Sequence, residues 1–127
     1  VGETIASDES VAPLASKVID EQTLKMQFVV NDSPFAGKEG KYVTTRHIRD
    51  RLEKELEMNV GLKVEFLDDG SYAVSGRGEL HLAVLIESMR REGFELQVSA
   101  PHVIYHEEDG KRLEPFEKVV VSVPEEF

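Results

Sequence analysis

"LKVEFLDDGSYAVSGRGELHLAVLIESMRREGFELQV", residues 62–98, contains two hydrophobic periods, and their order decides the fold. Leu62, Val64 and Phe66 alternate with polar residues, the period-two mark of a strand with one buried face. Asp68-Asp69-Gly70 reverses the chain at low cost, because Asp and Gly accept positive φ. Tyr72 and Val74 point inward on the returning strand. From Glu79 the spacing changes to three and four. Leu82, Leu85, Ile86 and Met89 then fall on one stripe of a helix reaching about Glu92. Gly93 is its expected C-cap. Phe94, Leu96 and Val98 restore period two. The segment reads β-β-α-β.

Upstream, "TLKMQFVV" (23–30) alternates with Leu24, Met26, Phe28 and Val30 inward. "NDSPFAGKEGKYV" (31–43) is rich in turn formers and reads as a loop. Thr44 or Thr45 caps the next helix. Its stripe is Ile48, Leu52 and Leu56, and Asn59 and Gly61 end it. Arg46/Asp50, Arg49/Glu53 and Asp50/Lys54 stand four apart and support it weakly. The whole order over residues 21–100 is βαββαβ. That predicts an α+β, ferredoxin-like split βαβ domain: a four-stranded antiparallel sheet with two helices on one face.

The flanks fit this unit poorly and are expected to be segments of neighbouring domains. Residues 1–20 show no sustained period and hold Pro13, so they read as a tail or linker, with Gly2 to Ala6 a candidate strand end. Residues 101–127 read as a strand, a Glu108-Asp109-Gly110 turn and a run in which Val119, Val121 and Val123 alternate. This is the start of another domain or an added hairpin.

The chain has 127 residues, 40% of them apolar, a formal charge of −10 and no cysteine. Disulfides and thiolate metal sites are thereby excluded, and the acidic total argues against generic nucleic-acid binding. No apolar run approaches the ~18 residues of a membrane span, no signal peptide opens the chain, and no membrane partner is expected. The absence of an initial Met suggests a fragment, or a chain whose first residue is removed by processing. Residues 34–63 go against the acidic trend, with seven bases against five acids.

The chemical signals are few. Gly76-Arg77-Gly78 would need a third glycine at His81 to make a dinucleotide fingerprint, and no P-loop is present. A strand-to-helix turn is the better reading, with the glycines supplying the dihedrals and Glu79 favoured by the helix dipole. Arg77 at the turn's tip is a candidate partner contact. Glu79 and His81 lie two apart, on different helix faces. His102 and His106 share a strand face and could chelate weakly. His47 lies on the charged side of the first helix. No nucleophile elbow occurs, and an enzyme using Glu79 and His81 is the weakest of the function classes. The open sheet face would carry Lys25, Gln27 and Val29 beside Ser71, Ala73 and Ser75, with no aromatic to stack a base. What is left is a solvated amphipathic face or, second to it, sequence-independent phosphate contact by Lys38, Lys41, Arg46, Arg49, Arg51 and Lys54, with Arg46, Arg49 and Lys54 roughly on one side. A stand-alone ferredoxin-like module for a small ligand or protein partner is the alternative.

"NDSPFAGKEGKYVTTRHIRDRLEKELEMNVGLKVE" and "VSGRGELHLAVLIESMRREGFELQVSAPHVI" resemble the TypA/BipA family of bacterial translational GTPases. The resemblance covers about residues 2–123. "SGRGELHL" is similar to a stretch in other ribosomal GTPases, whereas "SPFAGKEGKYVT" and "LIESMRREGFEL" point more narrowly. It implies an elongation factor G-like arrangement. Residues 1–20 would end the preceding β-barrel and its linker, 21–100 would be the third, ferredoxin-like domain, and 101–127 would begin the following α/β domain. GTP and Mg2+ would belong to a GTPase domain absent here, so this fragment would hold no cofactor and catalyse nothing. The intact protein would be a cytoplasmic, ribosome-associated GTPase linked to stress response and ribosome assembly. This part would relay nucleotide state between the GTPase and C-terminal domains and contact ribosomal RNA and protein. Lys38, Lys41 and Arg77 match family motif positions. With Arg46 and Arg49 they are the expected partner contacts.

Overall fold

The computed structural model describes residues 3–126. Seven strands and two helices follow in the order β1 (Leu24–Val30), α1 (Thr45–Met58), β2 (Lys63–Phe66), β3 (Tyr72–Gly76), α2 (Glu79–Glu92), β4 (Leu96–Val98), β5 (His102–Val103), β6 (His106–Glu108) and β7 (Lys111–Leu113). The main sheet has the order β2-β3-β1-β4, all antiparallel, with both helices packed on one face. The expected ferredoxin-like arrangement is therefore present. β1 is central, with Met26 opposite Val74 of β3 and Phe28 opposite Val98 of β4.

The core lies where the two periods meet. Phe28, Tyr72 and Val74 from the sheet close on Ile48 and Leu52 of α1 and Leu82, Leu85 and Met89 of α2, with Leu62 at the margin. Phe28, Ile48, Leu52, Val74, Leu82 and Met89 are wholly buried. Tyr72 buries its ring and donates its hydroxyl hydrogen to the Thr45 carbonyl at 2.8 Å, which fastens β3 to the start of α1. Thr44 is the N-cap, accepting from the His47 amide at 3.4 Å. Gly93 takes the left-handed C-cap of α2 at φ 96°. At the hairpin tip Gly70 has φ 82°, and Asp69 accepts from the Ser71 amide at 2.9 Å.

Several expectations differ from the structure. Phe66 and Val98 share the helix side of the sheet but are 41% and 40% exposed, because each lies on an edge strand at the margin of the core. β5 continues along β1 past β4, with His102 opposite Lys25 and Val103 opposite Leu24. The register moves by one residue between the two, so Ala100 and Pro101 together face Met26. This is a bulge that accommodates a proline with no N–H to donate. β6 and β7 form a separate hairpin through Asp109 and Gly110, both at positive φ. Val119, Val121 and Val123 form no strand. They alternate in sequence, but they lie exposed with no neighbouring strand to complete a ladder. Of the candidate strand end at Gly2 to Ala6, residues 3–6 form no strand and are exposed, whereas Gly2 lies outside the described residues.

Candidate functional site

The loop 31–43 is built around a buried carboxylate that the sequence reading did not single out. Glu95 precedes β4 and turns back into the loop. Its oxygens accept from the amides of Gly37 at 2.7 Å, Glu39 at 2.6 Å and Gly40 at 2.7 Å. The Asn31 side-chain amide adds a longer contact at 3.5 Å. These backbone donors, Gly37 first, hold the Glu95 carboxyl below its ordinary range. The Gly93 carbonyl accepts from Lys41 and Tyr42, and the Glu95 amide donates back to Tyr42. Seen from its sequence neighbours, Glu95 is just the polar position between Phe94 and Leu96. Gly40 is required by close approach: a Cβ there would stand 2.6 Å from the Gly93 carbonyl oxygen and 2.8 Å from Glu95 Cγ.

This fixed loop carries the first two expected contact residues outward. Lys38 Nζ lies 4.7 Å from the centre of the Phe35 ring, and Phe35 is 67% exposed. Lys41 points to solvent beside it. Arg46 follows in the first turn of α1, with its side chain 89% exposed and only a 4.0 Å contact to Asp50. Arg49 is one turn on, bonded to Glu53 at 2.9 Å and stacked 4.8 Å over Phe66. Asp50 thus pairs back to Arg46, not forward to Lys54. The fifth residue, Arg77, is elsewhere. It precedes α2, whereas the loop is pinned just beyond that helix's far end. Fourteen residues of helix separate them by about 21 Å. Arg77 instead reaches Asp20 at 3.4 Å. Lys38, Lys41, Arg46 and Arg49 are exposed along the loop and the first turns of α1, and Arg77 stands apart at the other end of α2.

Arg51 belongs to the framework. Its guanidinium grips Glu92 of α2 with two bonds of 2.7 and 2.8 Å and Glu55 of its own helix at 2.8 Å. The Glu92 bond, ahead of the opposing effect of burial, raises the Arg51 pKa. Burial pushes Glu55 up, but bonds from Arg51 and Asn59 outweigh it, and its carboxyl ends below the ordinary range.

At the Gly-Arg-Gly turn the expected dihedral role of the glycines is corrected. Neither Gly76 nor Gly78 has positive φ, and Gly78 is simply extended. Gly76 is needed because a Cβ would meet Leu82 Cδ2 at 2.8 Å and His81 Nδ1 at 3.1 Å, whereas a Cβ on Gly78 would meet nothing. His81 Nδ1 accepts from the Arg77 amide at 3.1 Å, so Nε2 carries the hydrogen and donates to Asn59 Oδ1 at 3.1 Å. Asn59 in turn donates to Glu55 at 3.1 Å. His81 is thus a tie between α2 and the end of α1, with both nitrogens engaged. His102 and His106 do not share a face: the first is in β5 opposite Lys25, and the second contacts Glu21 at 3.0 Å from β6. His47 is half-buried, its ring edge-on to Tyr42 at 5.2 Å, and does not stand free on the charged side of its helix. Among the described residues, no three His, Asp or Glu side chains come together to hold a metal ion, and no helix is long and apolar enough to cross a membrane.

No protein-family model matches the chain. Over 99% of its length it is 58% identical to the large ribosomal subunit assembly factor BipA of Bacillus subtilis. Identity to the protein of the same name from Synechocystis is 57% over 98% of the chain, and to that of Salmonella typhimurium 55% over 99%. The chain spans 21% of the length of each of these relatives. It thus matches the TypA/BipA family over nearly all its residues, as its motifs led us to expect.

Proposed function

We infer that this chain is a non-catalytic contact and relay unit of a larger TypA/BipA-like protein, in which it helps to dock that protein on the ribosome. The observation that carries this reading is identity above one half to the BipA assembly factors, along almost the whole chain and over only a fifth of their length. In this reading residues 21–100 are the elongation factor G domain III-like unit. Residues 1–20 are the tail of a preceding barrel domain with its linker, and 101–127 begin the following α/β domain. GTP and Mg2+ are bound by a GTPase domain outside this chain, and a cytoplasmic location and a part in ribosome assembly and stress response follow from the same reading. Lys38, Lys41, Arg46 and Arg49 contact ribosomal RNA or protein. Arg77, at the other end of α2, makes a second contact, with the ribosome or with an adjacent domain.

The geometry supports this division of labour. A loop fixed by Glu95 presents cations without having to be ordered on binding, and phosphate contact needs exposed cations more than shape. The test is co-sedimentation of the longer protein with ribosomes, in GTP analogue or GDP, comparing wild type with Lys38→Glu/Lys41→Glu/Arg46→Glu. Ribosome affinity is expected to fall, with a weaker dependence on salt, because fewer counterions are released. Unchanged affinity in both nucleotide states would overturn the reading.

A further inference from the structure

A groove of about 710 Å³ runs between the Glu95-fixed loop and the second half of α2. Ile86, Phe94 and Leu96 form its floor, and Phe35, Lys38 and Arg90 stand at its rim. Resting on the ribosomal reading above, we propose that this groove takes an unpaired nucleotide of single-stranded RNA, with its base stacked on Phe35 and the flanking phosphates held by Lys38 and Arg90. The chemistry of the walls selects that occupant. An apolar floor with two unpaired cations at the rim suits a flat ring attached to an anion. Phe35 offers a ring that is two-thirds exposed, with Lys38 Nζ 4.7 Å from its centre. Its conformation is fixed beforehand: Gly37 sits at φ 81° and three amides are bound to Glu95, so stacking requires little ordering.

Three acids also line the groove, and two of them are engaged. Glu95 is turned onto backbone amides, and Glu87 is held by Arg91 at 2.9 Å. Among the described residues Glu39 forms no ion pair, so the formal charges lining the groove balance, three acids against three bases, with Lys38 and Arg90 as its two unpaired cations. An acidic peptide would use the cations but not the exposed ring. A duplex would hide its bases from Phe35. The open sheet face, which lacks aromatics, is not involved. Base stacking here is the work of a loop.

The test measures fluorescence polarisation of a labelled oligouridylate and a labelled RNA duplex with the 127-residue chain, at about 50 and about 200 mM salt. Phe35→Ala is expected to weaken single-strand binding roughly tenfold with the salt slope unchanged, the loss of one stacked base. Phe35→Trp should retain binding. Lys38→Glu and Arg90→Glu should weaken binding and flatten the salt slope. All four variants change exposed side chains, at three positions, so thermal melting should match wild type. The proposal is overturned if wild type does not bind the oligouridylate, if Phe35→Ala binds as wild type does, if duplex binds as well as single strand, or if polyglutamate displaces RNA as effectively as unlabelled oligouridylate does. A silent Phe35→Ala beside a ribosome-defective charge reversal would remove the stacked base and leave docking standing. The converse pair would remove docking alone.

Discussion

A single glycine can be required for two different reasons, and the pair Gly76 and Gly78 separates them. Both stand in one turn, and neither has the backbone angle that favours glycine. Gly76 faces Leu82, a wholly buried side chain that cannot move aside without opening the core. Gly78 faces open space. Gly76→Ala is therefore expected to destabilise the chain by about 1–3 kcal/mol, the usual result of forcing a methyl into a packed site. Gly78→Ala should lose less than about 1 kcal/mol, since an N-cap alanine is only a poor capping residue. Urea titration of both variants checks the contrast, and equal losses would show that the turn is governed by dihedral freedom after all.

At the scale of elements, two acid–base devices tie pieces together at the margin of the hydrophobic core. The Arg51 guanidinium binds Glu92 across the helix pair and Glu55 along its own helix, with only 14% of its side chain exposed. Removing it leaves half-buried carboxylates facing each other. Arg51→Ala should then cost about 1–3 kcal/mol, discounted from the fully buried case because Glu92 is nearer the surface. Arg49→Ala, which breaks only an exposed pair, should leave the melting temperature almost unchanged. The second device is Glu95. Its folded pKa is lowered, so its contribution is present above the unfolded carboxyl value and is lost as pH falls through the lower, folded one. Glu55 and Glu92 are lowered too, and act in the same direction. Wild-type melting temperature is thus expected to drop on acidification below about pH 4.5. Glu95→Gln should melt lower than wild type at neutral pH, because its NH2 cannot accept from the loop amides, and should lose less on acidification. Parallel pH profiles for the two proteins would refute the role given to Glu95.

Across the whole molecule, what the sequence revealed follows from what has a period. β1, β3 and the two helices were legible because Leu24 to Val30, Tyr72 to Val74 and the Leu82 to Met89 stripe repeat at the spacing of the structures they form. The Glu95 loop was not, because one carboxylate gathering amides from residues 55–58 positions away leaves no repeat to see. Lys38, Lys41 and Arg46 could be picked as a local excess of charge, but the distance separating Arg77 from them required the path of α2. Alternation also misled at Val119 to Val123, since a strand needs a ladder as well as a pattern. The same difference predicts where cooperative folding stops. Residues 114–126 lie mostly exposed and unpaired. A chain ending at Leu113 should therefore melt within a few degrees of the full one, a change of less than about 1 kcal/mol. A chain ending at Ala100 loses the pairing of His102 and Val103 with β1, the bond from the Ile104 amide to the Thr23 carbonyl at 2.8 Å and the His106–Glu21 contact. At about 1 kcal/mol for a net hydrogen bond, it should melt several degrees lower. Calorimetry on the two truncations decides the matter. If both melt alike, β5 is an appendage and the folded unit closes at β4; if only the shorter is weakened, the bulge at Ala100 and Pro101 is part of the sheet's cooperative structure.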